Sequence, residues 1–199
     1  MTTVARAVLD VLRGTGVTTV FGLPGVHNLS FWREAGPGTP ELVVVRHEQT
    51  AVYAADGLAR VSGGLGAALT TTGPGAANTV AAFGEAAASG TPLVLAASEI
   101  PTTLARPGVV RGVLHESRDQ AGLFEPLAKA VRRPRTADDA VRAVAEAAQI
   151  AMTCPRGPVY VDIPTDVLDL EAAPASPPRA IAPRAPESGQ LERAVAAIE

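Results

Sequence analysis

Glu48 is the acidic side chain best placed to do chemistry. It stands in the run RHEQTAVYAADGLARVSG, Arg46 to Gly63, just after a β-branched segment and in the first turn of a helical pattern. A carboxylate there projects at the carboxyl edge of a sheet, within reach of a ligand's proton. The helix dipole alone also favours an acid at that position, by about 0.3–1 kcal/mol, so Glu48 by itself leaves both readings open. The small residues behind it, Ala51, Ala54, Ala55 and Gly57, allow close approach of a ligand or another chain, and equally suit tight helix–sheet packing. A second candidate is LTTTGPGAANTVAAFGEA, Leu69 to Ala86, a strand running into Gly73-Pro74-Gly75 and then a helix. Backbone N–H groups at such a turn can hold an anion or a polar ring edge; a structural glycine turn has the same sequence. The spacing is neither the dinucleotide fingerprint nor a phosphate loop, which would need a Lys-Ser/Thr pair.

Several regular elements must position these residues. Val4, Ala7, Val8, Val11 and Leu12 recur at helical spacing, with Thr2 or Thr3 as cap and Gly14 or Gly16 as stop. The β-branched Val17–Phe21 then predicts a buried strand ending at Gly22-Leu23-Pro24-Gly25. The alternation continues with a strand at Leu42–Val45, a helix at His47–Val61, a strand at Leu65–Thr71, a helix at Ala76–Ala88 and a strand at Leu93–Ala97. Ala137–Met152, opened by Asp138 and Asp139, predicts a helix, and Val159–Ile163 a last strand. Short apolar strands alternating with helices define a doubly wound α/β fold, a mainly parallel sheet with helices on both faces. Ile100–Pro126 is less regular and suits a long loop at the carboxyl edge, where such folds bind ligands.

The composition narrows the function classes. With 199 residues, 47% hydrophobic and 19% charged, the chain can bury one sizeable core and is not disordered. A formal net charge of −3 with scattered Lys and Arg offers no basic face for nucleic acid. The single cysteine, Cys154, forms no internal disulfide, cannot supply a cysteine zinc site, and fits a reducing cytoplasm; beside Pro155 it is expected to be buried and inert. Met1 to Ala7 carries no cationic leader before an apolar stretch, and no apolar run nears the roughly 20 residues of a membrane span.

Taken together, FGLPG (Phe21–Gly25), RHEQTAVYAADGLAR (Arg46–Arg60), TTGPGAANTV (Thr71–Val80), TPLVLAAS (Thr91–Ser98) and RGPVYVDIPTDV (Arg156–Val167) resemble the acetolactate synthase, benzoylformate decarboxylase and benzaldehyde lyase group of thiamine diphosphate enzymes. The likeness spans about Val4 to Leu168, in order and spacing. It implies an N-terminal domain holding the aminopyrimidine half of the cofactor. Glu48 would bond to a pyrimidine nitrogen and make the neighbouring exocyclic nitrogen basic enough to deprotonate the thiazolium carbon, the nucleophile for a 2-keto acid or aldehyde. By the same resemblance Pro24, Gly25, Thr72 and Gly73 would lie along the pyrimidine, and Asn78 would fix the turn or touch the ring edge. His27 falls where benzaldehyde lyase has an active-site histidine, and His115 lies in the segment where relatives place substrate-facing side chains; each is a candidate proton relay. Arg60 and Arg156 read as surface or turn residues.

The family also needs a domain whose Gly-Asp-Gly motif and downstream asparagine hold Mg2+ and the diphosphate. No Gly-Asp-Gly occurs in the sequence, so the chain is expected to hold half of an active site and no metal. Residues 1–170 are expected to form the pyrimidine-binding domain and 171–187 a Pro/Ala-rich linker. Residues 188–199 would begin a second domain, with Ser188 capping a helix that carries Leu191, Val195 and Ile198. The linker and the helix after Ser188 favour the N-terminal part of a longer enzyme; a natural subunit of a two-chain decarboxylase would more naturally end near Asp169, and a non-catalytic dimerisation module accords less well with Glu48. Self-association through Ala- and Gly-rich apolar helices is also expected.

Overall fold

A computed structural model describes residues 2–106, 108–173, 185–187 and 189–198. In chain order the elements are β1 (Thr2–Thr3), α1 (Val4–Gly14), β2 (Thr19–Gly22), α2 (Leu29–Arg33), β3 (Glu41–Val44), α3 (Glu48–Ser62), β4 (Gly66–Thr70), α4 (Pro74–Ala77), α5 (Val80–Ala88) and β5 (Leu93–Glu99). There follow β6 (Ala130–Arg132), α6 (Ala137–Met152), β7 (Val159–Pro164), α7 (Thr165–Leu168), β8 (Glu171–Ala172) and α8 (Gln190–Ala196). Six strands make one sheet in the order β3-β2-β4-β5-β7-β6, and every pairing in it is parallel.

Alternation along the strands sorts side chains onto two faces. Val20, Leu69, Val94, Ala96, Val159 and Val161 pack with α1 and α6 in one core. Ala68, Leu93, Leu95, Ala97 and Tyr160 pack with Ala51, Val52 and Ala55 of α3 and Ala82, Phe83 and Ala86 of α5 in the other. Both faces are therefore covered, which is why the strands read as unbroken apolar runs. The scarcity of aromatics follows from close backbone spacing: a Cβ at Gly66 would lie 2.5 Å from the Ala55 carbonyl oxygen of α3. Ala55 and Ala59 form that contact and Ala51 is buried, whereas Gly57 points to open space. Where large rings do occur they stack, with Phe124 over Tyr160 at 3.9 Å and Phe83 edge-on to Phe124 at 5.2 Å. Such pairs add about 0.5–1.5 kcal/mol each beyond the area they bury.

Thr3 caps α1 by accepting the Arg6 N–H, and Thr136 caps α6 by accepting the Asp139 N–H. The single helix predicted over Ala76–Ala88 is instead two, α4 and α5, separated at Asn78 and Thr79. The Thr79 hydroxyl donates to the Ala76 carbonyl and competes with the helical ladder. The edge strand β6 and the turn Val26–Asn28 that leads into α2 have no counterpart in the sequence reading. Glu171 and Ala172, at the start of the expected linker, pair antiparallel with Thr3 and Thr2. Pro174, Pro177, Pro178, Pro183 and Ser188 lie outside the described residues; α8 exposes Leu191, Val195 and Ile198.

Candidate functional site

The sheet order sets where a ligand can enter. From β2 the chain moves outward to β3, while from β4 it moves the other way to β5, so the carboxyl ends of β2 and β4 flank a topological switch point. Folds of this kind bind ligands in the crevice there. Three segments converge on it: the loop after β2, the start of α3 after β3, and the turn after β4.

Glu48 opens α3, with His47 as N-cap accepting the Gln49 N–H. Its carboxylate is nearly buried at 9% exposure, and Oε2 accepts a 3.0 Å hydrogen bond from the Asn78 amide. Oε1 receives no hydrogen bond among the described residues. A Cβ built on Gly75 would sit 3.5 Å from that Oε1 and 3.3 Å from Thr70 Oγ1, and Thr70 Oγ1 is buried without a partner. The glycine thus leaves two unsatisfied oxygens facing one small space. On the other side of the crevice, Asn28 accepts the Gly25 N–H at 2.8 Å and donates to the Leu23 carbonyl at 3.0 Å, fixing Leu23-Pro24-Gly25. Gly25 packs on Thr71 so tightly that a Cβ would fall 2.7 Å from its side chain. Pro24 is exposed. The residues present suit a flat heterocycle that offers donors to a carboxylate.

Thr72 and Gly73 continue the turn. Thr72 Oγ1 lies 3.1 Å from Ser98 Oγ, and Gly73 adopts φ +64°, which the absence of a side chain permits. The His115 carbonyl crosses directly over Gly73, where a Cβ would meet it at 2.5 Å. Leu114 and His115 both adopt left-handed backbone, φ 50° and 64°, at a cost of about 1–3 kcal/mol each. The segment thereby delivers His115 to His27, with ring centroids 6.2 Å apart. His115 is exposed; His27 is buried with Nδ1 unpartnered, and its carbonyl is held by Thr165. Burial, and secondarily the nearby His115, lower the His27 pKa and favour the neutral ring. Glu48, Asn78 and Gly75 form one cluster, and His27, His115 and Gly73 another. Among the described residues no direct hydrogen bond joins the two.

A second group of polar residues lies behind the glycine turn, at the carboxyl ends of β5 and β7. Gln120 is buried; its Oε1 accepts the Gly73 N–H, and its Nε2 lies 2.9 Å from the Ser98 carbonyl, 3.0 Å from Tyr160 Oη and 2.6 Å from Asp162 Oδ1. Tyr160 Oη also donates to Asp162 Oδ1 at 3.1 Å. Burial first, and neighbouring Glu99 second, push the Asp162 pKa up to about 8. Glu99 is itself raised, chiefly by burial. The group borders a cavity of about 920 Å³ whose lining includes Glu99, Arg106, Glu116, Arg135 and Asp162.

Asn28, Gln120, Glu99 and Asp162 are absent from the sequence reading. A clue to Asp162 was available: a lone acid inside the apolar run VYVDIP is costly to bury and demands partners. Gln120 carries no such mark, because it sits in an irregular segment. Cys154, expected to be buried, is exposed, because α6 ends at Met152 and the chain turns there along the surface. Arg60 pairs with Asp56 and Glu85 and donates to Ser89, tying α3 to α5.

A parallel α/β domain with a carboxylate and two glycine turns at its switch point is a ligand-binding domain of the doubly wound class. Residues 2–123 match the model for the thiamine pyrophosphate enzyme, N-terminal TPP binding domain, and the chain belongs to that family. It is 38% identical over 186 residues to human (Homo sapiens) 2-hydroxyacyl-CoA lyase 2, covering 89% of this chain and 28% of the lyase. To the acetolactate synthase of Arthrospira platensis it is 35% identical over 167 residues, covering 82% and 28%. Among solved structures it superposes on the thiamine diphosphate-dependent 4-hydroxybenzoylformate decarboxylase of Rhodococcus jostii RHA1 with a TM-score of 0.84 at 28% identity, over 98% of this chain and 36% of that one. The chain thus spans little more than a quarter of the length of these curated relatives. No helix among the described residues is long and apolar enough to cross a membrane.

Proposed function

We propose that the chain is the pyrimidine-binding half of a thiamine diphosphate-dependent lyase, carboligase or decarboxylase acting on 2-keto acids or aldehydes, with Glu48 as the residue that engages the cofactor. The observation that carries this reading is the Glu48 carboxylate itself: one oxygen is held by Asn78, while the other lies unbonded beside the side-chain-free space at Gly75. That arrangement leaves Oε1 free to share a proton with a ring nitrogen. Pro24, Gly25, Thr72 and Gly73 would line the pyrimidine, and Asn78 would keep the carboxylate aimed. Bound thiamine diphosphate supplies a nucleophilic carbon for attack on the substrate carbonyl. His27, kept neutral, would accept or pass a proton at its unpartnered Nδ1, with His115 as its neighbour toward solvent.

The diphosphate and its Mg2+ are assigned to a separate domain, in cis or in trans, since the donor set here suits a heterocycle. The outward side of α3 exposes Tyr53, Leu58 and Val61, the last at 89%, and is the proposed face for pairing with a second copy. A cytoplasmic location accords with the one unpaired cysteine. Calorimetry of thiamine diphosphate binding, with this chain alone and joined to a diphosphate-binding domain, tests the reading. Tight binding in the joined form and its loss in Glu48→Gln are expected. Absence of binding in both forms, or a Glu48→Gln variant that binds and turns over like wild type, would refute it.

A further inference from the structure

The polar group behind the glycine turn has no part in the proposed chemistry, yet it is wired to it. Gln120 bonds to both, and Ser98 also links them, its hydroxyl lying against Thr72 and its carbonyl against Gln120. A glutamine can be oriented by its surroundings because its two ends differ: one only accepts, the other donates. Here both ends are decided. The Gly73 N–H can only donate, so it takes Oε1, and the Ser98 carbonyl can only accept, so it faces Nε2. Turning the amide over would set donor against donor at Gly73 and acceptor against acceptor at Ser98. Nε2 also reaches Asp162 Oδ1, the acceptor shared with Tyr160 Oη. Asp162 and Glu99 border the same cavity, which gives their protons a route to solvent.

We propose that Gln120 is a positioning residue that couples the Gly73 peptide of the glycine turn to the protonation of the buried Asp162. When Asp162 loses its proton, the Nε2–H bond to it becomes charge-assisted, and the amide polarises toward Oε1. The Gly73 N–H is then held more strongly. The significance of Gly73 for a cofactor rests on the reading given above; the coupling itself does not. Burial and the proximity of Glu99 place the Asp162 transition at about 8. The other charged or titratable groups around Asp162, Glu99 and Gly73 are Tyr160 on β7, Arg133 and Arg135 beyond β6, Arg106, Glu116, Arg118 and Asp119 from the irregular segment, His115 above Gly73, and His27 beside His115.

The test is a titration of the 15N-labelled 199-residue chain by two-dimensional NMR from about pH 6 to pH 10, with no thiamine present. The Gly73 amide proton is expected to move downfield in a single step as the pH rises, together with the amides of Tyr160 and Asp162. In Asp162→Asn the step at Gly73 is lost, which separates it from titration of His27 or His115. In Gln120→Met the step is also lost, and Gly73 amide exchange accelerates about ten-fold or more, the loss of one buried hydrogen bond, while Leu95 is unchanged. An absent or upfield step in wild type, or a step that survives either substitution, overturns the proposal. The wild-type and Asp162→Asn arms stand even if Gln120→Met does not fold. Failure of Glu48→Gln to affect cofactor binding would defeat the functional reading and leave this titration untouched.

Discussion

The two halves of the sheet's carboxyl edge use carboxylates in opposite ways. At the ends of β2, β3 and β4, Glu48 keeps one oxygen unsatisfied, facing the small space beside Gly75. At the ends of β5 and β7, Asp162 is enclosed, and its Oδ1 is shared by Gln120 and Tyr160. An acid left incomplete beside a switch point is a binding feature, whereas an acid completed from within is an architectural one. Substitutions should therefore separate the halves, the first losing chemistry at little cost in stability and the second the reverse.

The largest expected effect is that of Glu48→Gln, assayed with a diphosphate-binding domain present. Turnover should fall by about 10²–10⁴-fold, while the melting temperature of this domain changes by no more than the loss of a helix-dipole contact, about 0.3–1 kcal/mol. A comparable loss of stability would erase the distinction between the halves. Next comes Asp162. Its folded-state pKa lies above its ordinary 3.8, near 8, so between those values the folded chain binds more protons than the unfolded one. Stability from this residue is complete below about pH 4 and is lost as the pH rises toward 8. Thermal melts of wild type and Asp162→Asn should diverge in favour of Asn as the pH rises across that window. Parallel pH profiles would show that Asp162 is not the group responsible.

A smaller effect is expected from Gly66→Ala, which drives a Cβ to 2.5 Å from the Ala55 carbonyl. It should cost about 1–3 kcal/mol of stability by overpacking, read from chemical denaturation, and displace α3 with the Glu48 it carries. The smallest is Asn78→Ala. Removing one partly exposed hydrogen bond to Glu48 should weaken cofactor binding by up to about ten-fold, equivalent to roughly 0.5–1.5 kcal/mol, and leave the melting temperature unchanged. If it weakens stability instead, Asn78 belongs to the architecture.

The same division governs what the sequence reveals. Helices α1 and α6 and the buried strands announce themselves through apolar spacing, and for α6 the expected span Ala137–Met152 is the one observed. Glu48, Gly73 and Gly75 stand at element ends, where side-chain type and turn chemistry are tied to position. The break between α4 and α5 is not legible, because it depends on a Thr79 hydroxyl choosing the Ala76 carbonyl. β6 is three residues long and owes its conformation to pairing with β7 rather than to its own sequence. Gln120 is hidden for a related reason: its role is defined by Gly73, Ser98, Tyr160 and Asp162, partners up to 47 positions away, and nothing local marks it.

The short ribbon of β1 and β8 has a practical consequence. Because Thr2 lies opposite Ala172 and Thr3 opposite Glu171, these two strands, far apart in sequence, are neighbours only about 5 Å apart. A few glycines and serines would suffice to splice them, and the exposed turn at Gly63 offers a place to reopen the chain. Such a rewired polypeptide would begin with β4 and end with α3, putting Glu48 near its tail while keeping every contact of the crevice.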